Sequence, residues 1–102
     1  MARLVVIYGR PEDPAAFDRY YFQTHVPIAK KVPGLRGYEV SEGPIGTPAG
    51  PAPHHLMAIL TFDDLPAIAA AFASPEGQAA AADVRGFATG GVEMFLFDSR
   101  EI

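Results

Sequence analysis

A chain of 102 residues makes one domain, long enough to bury roughly two-thirds of its unfolded surface in a single core and too short to build two. With 12 acidic against 8 basic side chains and a formal net charge of −4, its field repels phosphate backbones and offers no basic stripe, which excludes nucleic acid as a partner. It has no cysteine, so disulfides and thiolate chemistry are excluded; with no basic and apolar leader and no apolar run able to span a bilayer, the expected setting is the cytoplasm, away from membranes.

Arg3 to Tyr8 is rich in branched residues and reads as a strand. Asp13 is a good N-cap and Pro14 suits the first helical position, where a missing N–H costs nothing, so a helix is predicted from Pro14 to about Lys31. Phe17, Tyr21, Thr24 and Ile28 fall on one stripe of it, with Tyr20 and His25 at opposite edges. Pro27 cannot donate to the carbonyl of Gln23, so the helix should kink or stop within a residue or two of His25 and leave a backbone acceptor near its imidazole. Pro33 and Gly34 then punctuate the chain before a second strand, Leu35 to Gly43. Gly43 to Pro53 is dense in glycine and proline and reads as a long hairpin loop. A third strand follows from His55 to Phe62. Asp64 and Pro66 open a helix with Leu65, Ile68, Ala69 and Phe72 on one face, Ser74 and Pro75 restart it, and Ala80, Ala81, Val84 and Phe87 share a side of the continuation. Gly90 and Gly91 lead into a last strand, Val92 to Phe97.

The run from Tyr20 to Val40, with its Tyr–Tyr pair, His25, Val26, Pro27, Ile28, Pro33, Gly34, Leu35 and Tyr38, resembles the EthD family of small dimeric α/β-barrel proteins. Asp83 through Phe87 is similar to that family's second helix, and the resemblance covers nearly the whole chain as one domain, residues 1–102. The element order βαββαβ agrees with it. Right-handed crossovers turn that order into an α+β, ferredoxin-like fold with a four-stranded antiparallel sheet and the helices on one face.

Alternation in the strands bears on assembly. Leu4 and Val6 oppose Val5 and Ile7; Leu56, Ala58, Leu60 and Phe62 oppose Met57 and Ile59; Val92, Met94 and Leu96 oppose Phe95 and Phe97. Both faces of the sheet are therefore apolar, and helices cover only one. Patterning and resemblance together predict a homodimer through the open sheet face, two sheets packing into a dimeric α/β barrel.

His25 is the candidate acid/base, because an imidazole near neutrality takes or gives a proton without a cofactor. The competing role is a packed histidine bonded to a backbone carbonyl, such as the one Pro27 releases; the EthD resemblance, in which the matching histidine lines the pocket, favours function. Asp18 shares its side of the helix but stands seven residues away, about 10.5 Å of rise, too far for a direct bond. Asp83 and Glu93 are other carboxylates that could orient it, and the sequence places neither. Tyr21, one turn before His25, is the best tyrosine partner. Tyr8, Tyr20 and Tyr38 could offer further hydroxyls to a substrate, with Phe17 and Phe95 in an aromatic lining, although such residues are more often simply core.

His54 and His55 invite a metal reading with His25, but neighbours on a strand point to opposite faces and no carboxylate stands at a ligand spacing, so no metal is expected. No nicotinamide, flavin or phosphate motif is present, and no cofactor is expected. What the resemblance implies is a cofactor-free, oxidoreductase-like enzyme of an oxidative breakdown or tailoring pathway, related to monooxygenases and acting on a small apolar or aromatic molecule. The alternative is an accessory protein that binds such a ligand without turning it over.

Overall fold

Strand β1 (Ala2–Gly9) alternates buried and half-buried residues along its whole length, the signature of a central strand with one face against helices and the other less covered. The computed structural model describes residues 1–102. β1 is flanked by β5 (His54–Phe62) and β6 (Val92–Asp98), and β2 (Gly37–Val40) lies outside β5, all antiparallel, in the order β2-β5-β1-β6. This is the ferredoxin-like α+β arrangement read from the element order. Backbone bonds from Arg36 to Thr61 and from Ser41 to Met57 extend the β2 pairing just past both its ends.

Asp13 caps helix α1 (Pro14–Tyr20) by accepting from the Ala16 amide at 3.0 Å, with Pro14 in the first turn. The helix does not run smoothly to Lys31. A π-helical turn occupies Tyr21–His25, where the Val26 amide reaches back to the Tyr21 carbonyl, and a single α-helical turn, α2 (Val26–Ala29), follows. The disturbance expected within a residue or two of His25 takes the form of this π turn: Pro27, which has no amide to give, sits in the first turn of a new helix, where none is required. The Gly- and Pro-rich loop carries a two-residue ribbon, β3 (Gly46–Thr47) against β4 (Gly50–Pro51), which the composition did not suggest.

Asp64 caps α3 (Leu65–Ala73), and Ser74 both ends it and caps α4 (Pro75–Phe87) through its hydroxyl and the Gly77 amide at 3.0 Å. The two helices meet so closely that a Cβ on Gly77 would fall 2.0 Å from the Ala71 carbonyl oxygen. Only glycine fits there, and its absence of a side chain brings α4 down against α3.

The core lies between the helices and one face of the sheet: Ala2, Leu4, Val6 and Tyr8 from β1, Leu56, Ala58, Leu60 and Phe62 from β5, and Phe17, Tyr21, Ile68, Ala71, Ala80 and Val84 from the helices. Tyr8, Tyr21 and Phe62 are its largest fully buried side chains. Across the strands Val5 stands beside Phe95, Ile7 beside Met57, and Val5 again beside Ile59. These residues form the opposite, helix-free face, on which Phe95 is 53 % and Phe97 45 % exposed. No helix of the protein is long and apolar enough to cross a membrane.

Candidate functional site

The π turn gives the site its principal group. It places Tyr21 and His25 four residues apart on the inward side, their rings 5.3 Å apart and both buried, His25 at 4 % exposure. The Nδ1 atom of His25 lies 2.9 Å from Oδ2 of Asp83, which α4 brings across from 58 residues away. The other oxygen of Asp83 accepts a short hydrogen bond from the Tyr20 hydroxyl. Phe87, one turn beyond Asp83, packs against the imidazole with ring centroids 4.8 Å apart.

The histidine's partner is therefore a carboxylate and not a carbonyl released at Pro27. Asp18, excluded above by its distance, is bonded to His55 Nε2 at 2.8 Å. His55 owes that position to a register shift between Tyr8 and Gly9, which pair with Leu56 and His54 and leave His55 as the extra residue of a bulge. Its ring stands edge-on to Phe17 at 5.0 Å. Glu93 shares the helix-free face with Phe95, across from Ile7.

The imidazole opens on a cavity of about 310 Å³ between the helices and the sheet. The first helix supplies only part of its wall. Leu65, Ile68 and Phe72 of α3 and Ala80, Ala81 and Val84 of α4 form another part, with Tyr8, Tyr38, Leu60, Met94 and Leu96 on the sheet side. Apart from the thioether of Met94, His25 is the one lining side chain that is neither aliphatic nor a phenol or benzene ring. Met94 and Leu96, on the helix side of the edge strand β6, are 46 % and 56 % exposed, so the cavity opens along that strand.

Tyr8, Tyr21, Tyr38 and His25 come together on this cavity. The Tyr21 and Tyr38 hydroxyls are 2.6 Å apart, so one phenol donates to the other and one proton of the pair is left for a further acceptor. The Tyr8 hydroxyl and the Nε2 of His25 have no partner within the protein and are not sealed from the cavity. Three other positions stand elsewhere. Phe17 is buried behind the lining, enclosed by Tyr8, Tyr21, Phe87 and His55. Tyr20 is at the surface and reaches the site only through Asp83. Phe95 is on the opposite face of the sheet, because it pairs beside Val5 and alternation turns it away from Met94 and Leu96.

Burial pushes all three cavity phenols upward. The charges of Tyr38 and Asp83 add to the rise at Tyr8, and the bond to Tyr38 adds to it at Tyr21; at Tyr38 that bond works the other way and burial prevails. Tyr20 is raised too, by its bond to Asp83. All four tyrosines of the chain are therefore expected to stay protonated past the ordinary value near 10, and an absorbance titration of the folded protein should show no tyrosinate step there. The sign for stability follows: a phenol whose folded value is raised contributes fully below its unfolded value, and the contribution fades as pH climbs from about 10 through the folded values. Alkaline unfolding and tyrosinate absorbance should therefore appear together. A phenolate step near pH 10 with the fold intact would contradict this arrangement.

The sequence profile of the EthD domain matches residues 10–91. An uncharacterized 11.0 kDa protein from the thcB–thcC intergenic region of Rhodococcus erythropolis is 38 % identical over 102 residues, covering 100 % of this chain and 98 % of that one. The crystal structure of an EthD family protein from Bacillus halodurans superposes with a TM-score of 0.89 at 34 % identity, over 98 % of this chain and 99 % of the other. SnoaB from Streptomyces nogalater, a cofactor-independent oxygenase, has a TM-score of 0.68 at 21 % identity, with 99 % and 94 % coverage, a likeness of fold.

Proposed function

This chain belongs to the EthD family, and we propose on that footing that it is an oxidoreductase-like enzyme, monooxygenase-like and needing no cofactor, in which His25 is the acid/base for a small apolar or aromatic substrate. The observation that carries the proposal is the pairing of His25 Nδ1 with Asp83, which leaves Nε2 free of any partner within the protein on a residue that lines the cavity. With the Nδ1 proton held by the carboxylate, the lone pair is on Nε2, where it can take a proton from an O–H or activated C–H of the ligand. The imidazolium so formed is neutralised in place by Asp83, whose second oxygen is fixed by Tyr20. The anion left on the ligand accepts hydrogen bonds from Tyr8 and from the free proton of the Tyr21–Tyr38 pair, phenols that stay neutral donors because burial disfavours their ionisation. An enolate or phenolate held this way, shielded from water, is the electron-rich species that would react onward with dioxygen, as a cofactor-free oxygenase requires.

The protein also forms, on this proposal, a homodimer through the helix-free face of the sheet. Val5, Ile7, Met57, Ile59, Phe95 and Phe97 make that face apolar across three strands, and contiguous apolar surface with no helix over it is what association covers.

A ligand screen tests the enzymatic reading: small phenols, quinones and carbonyl compounds are ranked by the rise in melting midpoint they cause, and each ligand found is then followed for turnover and oxygen uptake. Conversion that stops in the His25→Ala variant supports an enzyme. Ligands that bind equally to both proteins and are never converted would make the protein a carrier or accessory factor instead.

A further inference from the structure

We infer that the cavity selects a neutral, weakly acidic hydroxyl compound of about two fused rings, a phenol or an enol, and rejects a carboxylate of the same size. The inference deepens the reading of His25 as a base and rests on it. Three observations lead to it: the charge balance of the lining, its volume and the position of its mouth.

No lysine or arginine lines the cavity. The groups around His25 are Tyr21 beside it on the π turn, Asp83 and Phe87 from α4, and the phenols of Tyr8 and Tyr38 from the sheet. The imidazole and Asp83 together carry one negative charge when the imidazole is neutral. A hydroxyl compound enters uncharged, and moving its proton from oxygen to Nε2 creates one anion and one cation inside the site: the O–H bond breaks, the N–H bond forms, and the total charge is unchanged. A carboxylate enters already charged. It would either double the negative charge of a site with no cation to meet it, leaving a buried charge uncompensated, or bind only together with a proton drawn from solution, so its affinity falls as pH rises while that of a neutral hydroxyl compound does not.

Size follows from volume. An apolar cavity of about 150 Å³ holds one benzene, and the 310 Å³ here is about twice that. The polar groups gather in one cluster, with the Tyr21 ring 5.3 Å from His25 and 5.7 Å from Tyr8 and its hydroxyl on that of Tyr38, whereas the exposed side chains of Met94 and Leu96 rim the opening along β6. A ligand therefore lies with its hydroxyl inward and its ring edge toward that rim, which a ring of this size covers.

Four probes test this: 2-naphthol, phenol, naphthalene and 2-naphthoate, with binding measured by calorimetry and ionisation of bound naphthol by the absorption band of its anion. The expected result at about pH 8.5, where the proton a carboxylate would need to bring is scarce, is that 2-naphthol binds about a hundredfold more tightly than 2-naphthoate, and more tightly than phenol or naphthalene. Bound 2-naphthol should also ionise at a pH lower than free 2-naphthol by about one unit or more, as expected beside a proton acceptor and neutral donors. His25→Gln should keep naphthol binding within a few-fold and abolish the downward shift, while Tyr8→Phe should reduce it. Naphthoate binding as tightly as naphthol, or bound naphthol ionising where the free compound does, would overturn the inference, and both are read on the unaltered protein. Naphthol bound and ionised, with no conversion of any compound, would instead sink the enzymatic reading and leave this one standing.

Discussion

His25→Gln lowers the turnover of a converted ligand by about 10²–10⁴-fold, the range in which a positioned acid/base contributes, while the ligand's affinity changes only a few-fold. Glutamine fills much of the imidazole's volume and leaves the apolar wall in place, so the loss should fall in kcat with little change in KM, the mark of a group needed in the transition state more than in the ground state. Asp83→Asn should move kcat in the same direction by less. The amide no longer neutralises the imidazolium or fixes which nitrogen carries the proton, although it can still occupy the place 2.9 Å from Nδ1. Tyr20→Phe, which removes only the donor to the far oxygen of Asp83, should cost least. Steady-state kinetics on the three variants, with circular dichroism confirming their folds, checks the order. Equal losses in kcat and affinity for His25→Gln would show that the imidazole shapes the pocket and transfers no proton. An Asp83→Asn variant as active as the parent would show that the carboxylate does nothing beyond filling space.

That ordering depends on a contact no local pattern could reveal. Period-two alternation marked the faces of β1, β5 and β6, and Asp13–Pro14 and Ser74–Pro75 marked the starts of α1 and α4, because each signal acts within a turn or two of chain. The family's own residues around His25 made the histidine conspicuous. In the sequence Asp83 is one carboxylate among several, and its pairing with His25 depends on how α4 docks across 58 residues of chain, including its close approach to α3 at Gly77. The π turn leaves no local signal for a related reason. Pro27 announces a disturbance, but whether the helix kinks at the proline or widens one turn earlier depends on which inward side chains must be packed, here Tyr21 and His25. From sequence Phe95 reads as lining because the strand's alternation does not say which of its two apolar sets faces the helices; the pairing Val5 to Phe95 and Val6 to Met94 does. His55, with Asp18 as its partner, depends on a bulge that shifts the register by one residue.

The same pairing that turns Phe95 away from the cavity assigns it to the proposed dimer face, and Phe95→Asp should make the protein monomeric. In a twofold dimer each substitution occurs twice. Fully burying a phenylalanine is worth roughly 1.5–3 kcal/mol, and Phe95 is already about half covered within one chain, so losing two costs about 1.5–3 kcal/mol, which at 1.4 kcal/mol per decade weakens association by roughly 10–10²-fold, before the further cost of facing two aspartates across the interface. Sedimentation at micromolar concentration should find the parent at twice the mass of one chain and the variant at the mass of one. A parent that already sediments as a single chain, or a variant that stays dimeric, would remove this face from the interface. The backbone pairing of β6 with β1 does not depend on that side chain, so the variant should fold. Its cavity is on the other side of the sheet, so it should also bind 2-naphthol nearly as the parent does, whereas His25→Gln should remain dimeric. Loss of naphthol binding in a folded, monomeric Phe95→Asp would mean that the partner subunit shapes the cavity, and that assembly and chemistry are coupled through the single sheet that divides them.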